Sequence, residues 1–484
     1  MENHQLFIQG KWVPAQSGET FEVINPHITE PMARVAKADE CDVDAAVKAA
    51  RKAFDEGPWP RMLASERAAI LFRLANLIRE NLEDIARTES MNVGKPIGDS
   101  RDEVGAAASC FEYYAGAITK FFGETIPVSK QGLDYTLRVP CGVVAAVVPW
   151  NFPFVMAAWK LGPALATGNA AVLKPASYTP LSALKLGPLA VKAGIPDGVL
   201  NIITGPGTLA GRALVGHPGV DKITFTGETE TGREIMKTAA NDIKRVSLEL
   251  GGKSPNIVFA DADVETAARA SVLGVFGNCG QDCCARSRAF VEQSVYDEYV
   301  NAFIDEVSKT VIGDPMDNAT QIGPMVSMKQ RERVLRYIEL GKTEGAILAY
   351  GGEILSDGVY AKGSYIRPAV FTHAGNDMRI SQEEIFGPVV NVIPFTDEKE
   401  MIRQVNGTQF GLSGSLWTND ISRGLRVAKQ VRSGVLGVNT RSSVFLEAPF
   451  GGFKQSGIGR DLGMHCLLNF TEVKNIFIYF EEEK

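Results

Sequence analysis

Three residues of this chain are of the types needed to make and then hydrolyse a thioester: Cys283, Glu249 and Asn151. Cys283 stands in Phe276-Gly-Asn-Cys-Gly-Gln-Asp-Cys-Cys, at the end of a short apolar helical run. Its thiolate would be intrinsically nucleophilic toward a carbonyl carbon. Glu249 ends Val246-Ser-Leu-Glu-Leu and precedes Gly251-Gly252. Partial burial there would raise its pKa toward the range of a useful base. Asn151 follows an apolar strand, between Trp150 and Phe152. Strand ends in parallel sheets face the ligand crevice, so its amide could donate to a developing oxyanion. Taken singly, each also fits a structural role. Cys283 could be a small core residue, Glu249 an acid paired with Lys or Arg, and Asn151 a turn residue between Pro149 and Pro153.

Two glycine-bearing turns could cradle phosphates. Gly205-Pro-Gly207-Thr-Leu-Ala-Gly211 and Phe225-Thr-Gly227-Glu-Thr-Glu-Thr-Gly232 each follow a strand and open a helix. Such turns bring backbone N–H groups to a phosphate. Neither is a standard GxGxxG, and both also fit simple tight connections. Cys279, Cys283 and Cys284 do not suggest a metal: two are adjacent, and no local His or fourth Cys completes a set.

The elements that must hold these residues form two α/β series. Residues 5–30 alternate as short antiparallel strands, and residues 42–90 carry helical periodicity. From Gly142, strands at Val143–Val148, Ala170–Leu173, Val199–Ile203 and Lys222–Phe225 alternate with helices at Phe154–Leu165 and Leu181–Lys192. After Gly251-Gly252 come strands at Asn256–Phe259, Arg288–Glu292, Val389–Pro394 and Gly434–Val438. Helices are expected at Val264–Phe276 and Tyr296–Thr310. Continuous apolar strands spaced by helices imply parallel sheets covered on both faces, and two series imply two domains around a cleft. The tail, Asn469–Phe480, is rich in β-branched and aromatic residues. An edge strand of that kind needs a partner, in another subunit or in residues 123–140 of its own.

The 484 residues suffice for two or three packed units. A net charge of −7 gives no reason to expect nucleic acid or an anionic membrane as partner. No apolar stretch approaches the roughly 20 residues of a membrane span, and the N-terminus has no signal-peptide pattern. Seven cysteines, an odd number, suit a reduced compartment, so a cytoplasmic location is expected.

The Asn151, Glu249 and Cys283 segments, in this order along the chain, resemble the aldehyde dehydrogenase superfamily over essentially the full length. The resemblance implies an α/β fold with a Rossmann-type cofactor domain (1–122 and 141–250), an α/β catalytic domain (251–455) and a small β oligomerisation element (123–140 and 456–484). It implies Cys283 as nucleophile, Glu249 as general base and Asn151 as oxyanion donor beside the Cys283 N–H. NAD or NADP is the implied cofactor, held by Trp150, Lys174, Ser177, Gly207, Gly227, Gly232, Glu384 and Phe386. The implied substrate tunnel is lined by Phe152, Met156, Trp159, Asp282, Cys284, Val444 and Phe450, with the small residues Gly105–Ala108 on a bordering helix. A homodimer or homotetramer is also implied.

Two positions depart from the family pattern. Ser177 stands where many NAD-preferring members have Glu; a serine would not repel a 2′-phosphate, so NADP is expected to be tolerated. Glu228 stands where many have Ser, and a carboxylate is expected to point away from phosphates. Arg441 near the tunnel entrance would suit a semialdehyde acid or be a solvated surface residue, and Glu447 would suit an amino-aldehyde. The competing functions are a CoA-acylating aldehyde dehydrogenase, disfavoured by Glu249, and an inactive nucleotide-binding scaffold, disfavoured by the intact trio.

Overall fold

The computed structural model describes residues 2–481. Buried apolar strands define two large sheets. In the first, five parallel strands run in the order Arg245–Glu249, Lys222–Thr226, Val143–Val147, Ala170–Lys174, Leu200–Ile202. Short antiparallel strands close both edges: Gly457–Ile458 on one side, Leu6–Ile8 and Lys11–Val13 on the other. The chain starts this series at Val143–Val147, builds outward one way, then returns to build the other way. That reversal leaves a crevice at the carboxyl ends of the neighbours Val143–Val147 and Lys222–Thr226.

The second sheet runs Ile347–Tyr350, Ala369–Thr372, Val389–Phe395, Arg288–Glu292, Pro255–Val258, Ser415–Trp417, Gly437–Val438. All its pairings are parallel except the first. The strand Pro255–Val258 begins six residues after Arg245–Glu249 ends. The connection therefore carries the chain from the carboxyl edge of one sheet to the amino edge of the other.

Most strand expectations hold within a residue or two. The helix Val264–Phe276 and the strand Arg288–Glu292 have the expected bounds. The single helix expected over Leu181–Lys192 is two, Leu181–Leu184 and Leu186–Ala193. Pro188 explains the break, because it lacks the N–H that would bond Leu184 and its ring crowds that carbonyl. Only Gly437–Val438 of the stretch from Gly434 is strand. The Gly434 and Val435 N–H groups still donate to the carbonyls of Gly411 and Leu412, and a Cβ on Gly434 would lie 1.7 Å from the Gly451 carbonyl oxygen, so a loop covers this backbone while it runs beside its neighbour.

The helix Pro153–Ala166 lies wholly in the core, with every residue buried. Its one charge, Lys160, pairs with Asp461, which is equally buried. The tail strand Thr471–Ile478 pairs antiparallel along its length with Leu133–Pro140 of the same chain. Thr125–Ile126 completes a three-stranded sheet. The tail strand is the outer one, and Val473, Phe477 and Ile478 remain exposed on it.

Candidate active site

A cavity of about 400 Å³ lies where the carboxyl ends of the first sheet face the amino ends of the second. Cys283, Asn151 and Phe152 share its wall with Lys174, Ser177 and Glu384.

The nucleophile candidate is placed by an unusual backbone. After the helix ends at Phe276, Asn278, Cys279 and Gly280 have φ of 49°, 56° and 68°. Two consecutive non-glycine residues in the left-handed region store strain and persist only when contacts hold them. Here Asn278 Nδ2 donates to the Asn151 carbonyl at 3.0 Å, and Gln281 Nε2 donates to the Asn278 carbonyl at 3.0 Å. Asn151 Nδ2 in turn donates to the Gln281 carbonyl at 2.9 Å. Cys283 thus stands in a turn seven residues past the helix, not at the helix end as expected. One Asn151 amide N–H is used by Gln281, and the other is open. The Cys283 N–H has no backbone or side-chain acceptor among the described residues.

The neighbouring Cys284 thiol, then burial, hold Cys283 well above the ordinary cysteine range. Glu249 is buried beyond the cavity wall, although its neighbours Leu250 and Gly251 line it. Burial, then the nearby Asp461, raise its carboxyl well above the usual range. Among the described residues its Oε2 has no hydrogen-bond partner. Gly451 lets it sit there: a Cβ on Gly451 would lie 2.5 Å from Glu249 Oε1.

The other half of the cavity suits a sugar–phosphate chain. Lys174 is buried, donates only to the Pro175 carbonyl at 3.1 Å, and keeps two further donors; burial lowers its pKa to about 8. Ser177 Oγ donates to the Gly205 carbonyl at 2.8 Å. Beyond Gly207 a Cβ would meet open space. Gly227 lines the cavity beside Thr226, whose buried hydroxyl has no partner. Gly232 does not reach the cavity. It lets its helix pack on Leu250, where a Cβ would come within 2.6 Å. Glu228 lines the rim, with an exposed carboxylate 3.9 Å from Arg333.

Glu384 and Phe386 close this half. Glu384 Oε1 accepts from the Gly252 N–H at 3.0 Å, and burial pushes its carboxyl up to about 7. Phe386 has φ of 58°, a strained conformation for a bulky residue, and meets Trp150 edge-on at 5.1 Å. Two residues not singled out in the sequence hold this segment. Gln330 Nε2 donates to the Phe386 carbonyl at 2.9 Å, and Arg333 Nη2 to the Glu384 carbonyl at 3.2 Å. Their i,i+3 spacing marks one helix face, but nothing in the sequence says what that face meets.

Of the substrate candidates, Phe152 and Met156 line the cavity. Trp159, Cys284, Val444 and Phe450 pack in the same apolar cluster, with Trp159 edge-on to Phe450 at 5.2 Å. Asp282 accepts from the Cys284 N–H at 2.8 Å and so shapes the turn. Arg441 and Glu447 are exposed and off the cavity wall. The ligand atoms of Asp282, Cys283 and Cys284 lie within 4.8 Å of one another. They are three consecutive residues, and no metal is assigned to them.

Comparison with known proteins bears on this site. The model of the aldehyde dehydrogenase family matches residues 12–476. Aldehyde dehydrogenase family 2 member C4 of Arabidopsis thaliana is 45% identical over 98% of this chain and 94% of its own length. Human retinal dehydrogenase 2 is 44% identical over 98% and 91%. The solved NAD⁺ complex of an aldehyde dehydrogenase from Bacillus cereus is 47% identical, with a TM-score of 0.97 over 99% of this chain and 97% of that one.

A Cβ on Gly251 would fall 2.1 Å from Glu384 Oε2. Gly251→Ala is therefore expected to displace Glu384 and break its bond to Gly252. Titration of NAD by quenching of protein fluorescence should show a Kd raised about tenfold or more, the scale of one lost charged hydrogen bond. An unchanged Kd would show that Glu384 does not hold the ligand.

Proposed function

The chain belongs to the aldehyde dehydrogenase family, and on that premise we propose how its residues divide the work. The reaction is oxidation of an aldehyde to a carboxylic acid with NAD or NADP as hydride acceptor. The Cys283 thiol gives up its proton to solvent, its sulfur bonds the carbonyl carbon and the C=O π pair moves to oxygen, giving a thiohemiacetal anion. The open Asn151 N–H and the Cys283 N–H stabilise the oxyanion, in a site whose donors need no rearrangement. When bound, the nicotinamide ring supplies the acceptor that turns the addition product into a thioester on Cys283. Glu249 then takes a proton from water, the water oxygen attacks the thioester carbon, and the carbon–sulfur bond breaks to release the acid. Lys174, Ser177 and the Gly207 turn would hold the adenosine side, Gly227 the pyrophosphate, and Glu384 with Phe386 and Trp150 the nicotinamide ribose and ring. The observation that carries this reading is the meeting of Cys283 and Asn151 with that donor set on one cavity wall. The unpartnered Glu249 carboxyl, with no CoA needed to accept the acyl group, favours hydrolysis.

The apolar wall of Phe152, Met156, Trp159 and Phe450 favours neutral aliphatic or aromatic aldehydes, and the exposure of Arg441 supports no carboxylate subsite. The open edge of Thr471–Ile478, with its exposed apolar residues, supports a homodimer or homotetramer. We read the chain as units 1–122 with 141–250, 251–455, and 123–140 with 456–484; the second large sheet, all within 251–455, supports this division, while Gly457–Ile458 pairs in the first sheet. Among the described residues no helix is long and apolar enough to cross a membrane. The seven free cysteines support a reducing, cytoplasmic setting.

The direct test is reduced-nicotinamide absorbance with a panel of aldehydes, NAD and no CoA. Turnover is expected, and its absence with every aldehyde would move the assignment to the CoA-acylating reading. Glu249 works only when ionised, and its pKa lies above the ordinary carboxylate range. The kcat should therefore rise with pH through that raised pKa and be lost below it. Glu249→Gln should lower kcat by about 10²-fold or more and abolish this limb; a variant keeping both would contradict the role.

Ser177 bears on cofactor choice. Ser177→Glu would bring a carboxylate against a 2′-phosphate, a repulsion of about 1–4 kcal/mol at contact. The kcat/KM with NADP should fall about tenfold or more while that with NAD holds. Equal losses with both would remove Ser177 as a determinant.

A further inference from the structure

The helix Pro153–Ala166 begins directly after Asn151 and Phe152, yet no local side chain caps it. Pro153 fills its first position, where no N–H is needed. The next two N–H groups, of Phe154 and Val155, are met from other helices. Glu89 Oε1, on the helix Leu82–Val93, accepts from Phe154 N at 3.5 Å. Glu103 Oε1, on the helix Ile97–Ile118, accepts from Val155 N at 3.3 Å. Negative groups suit a helix N-terminus, but two carboxyls in one buried place repel each other.

Lys95, in the link between those two helices, lies against both. Its ammonium bonds Glu103 and stands 3.8 Å from Glu89 Oε1. The Lys95 and Glu89 side chains are 0% exposed, and that of Glu103 is 5% exposed. Burial, then Glu103, push the Glu89 carboxyl well above the usual range, which relieves the excess negative charge. The same Lys95 Nζ stands 4.2 Å from the centroid of the Phe152 ring, over its face. One cation therefore touches the helix cap and an aromatic ring that lines the cavity with Cys283.

A buried ion cluster is a poor source of stability, since apolar residues of the same volume often serve as well. A desolvated cation over an aromatic face, however, fixes how that face is presented. We infer that Lys95, held by Glu89 and Glu103, is a positioning residue that sets the Phe152 ring and thereby the aldehyde preference of the cavity. The inference rests on the aldehyde-oxidising reading and adds a determinant of specificity outside the cavity wall.

The readout is the ratio of kcat/KM for benzaldehyde to that for acetaldehyde, which a loss of folded enzyme alone would not move. Lys95→Met with Glu103→Gln removes the cation and keeps an acceptor for Val155 N–H. This pair should change the ratio about fivefold or more, in the same direction as Phe152→Leu. Adding Phe152→Leu should then change it little further, because both act through one ring. Lys95→Arg, which keeps a cation over the ring, should hold the ratio within about twofold. A ratio unchanged in the folded pair, or changes that add fully to those of Phe152→Leu, would overturn the inference. If the pair does not fold, Glu103→Gln alone loosens Lys95, and an unchanged ratio there overturns it equally. A wild-type chain that oxidises neither aldehyde would refute the parent reading instead.

Discussion

The site depends on one close approach of backbone. Gly251 and Gly252 carry the chain from the first sheet to the second, and each is met by a group of the site. The Glu384 carboxylate lies where a Cβ on Gly251 would be, and the Cys283 carbonyl lies 2.3 Å from where one on Gly252 would be. Glu249 is two residues upstream, at the end of its strand. A side chain at Gly252 would press on the backbone of the nucleophile turn, and one at Gly251 would turn aside the end of the Glu384 side chain. The connection that joins the two sheets is thus also the gauge that sets their spacing.

Around that junction the structure buries charge and leaves little of it free to move. Lys160 and Asp461 pair beside Glu249, and their fields, with burial, tune its carboxyl. Arg288 donates to the carbonyls of Lys253 and Val405, tying the start of its strand to the connection after Gly252. Such groups cost desolvation and return orientation, provided every partner stays in place. Glu249 Oε2 is one buried oxygen with no partner among the described residues, and it is the atom expected to meet water.

Much of the fold was legible because a buried parallel strand is a continuous apolar run, as in Val143–Val147, and needs no knowledge of its neighbours. Where boundaries moved, the cause was a local rule or a distant contact. Pro188 split a helix by a rule readable in the sequence, whereas the strand expected from Gly434 is short because only Gly437–Val438 pairs in register with Ser415–Leu416. Within the site, Cys283, Glu249 and Asn151 were legible through motif resemblance. The raised pKa of Cys283 was not, since it arises from how Cys284 packs. Gln330 and Arg333 were silent because a polar helix face acquires meaning only from what it touches. Arg441 fitted either a ligand contact or a solvated surface residue by its type alone, and its loop leaves it exposed.

The central claim is that the acyl group passes through a covalent bond to Cys283 and is released by Glu249. It is tested most directly by mixing the Glu249→Gln chain with aldehyde and NAD, quenching in acid, and weighing the intact protein and its peptides. The account predicts one added acyl mass, on the peptide bearing Cys283, and no adduct when Cys283 is replaced by Ser. Reduced cofactor formed without any adduct, or an adduct confined to Cys284 or Cys279, would contradict it.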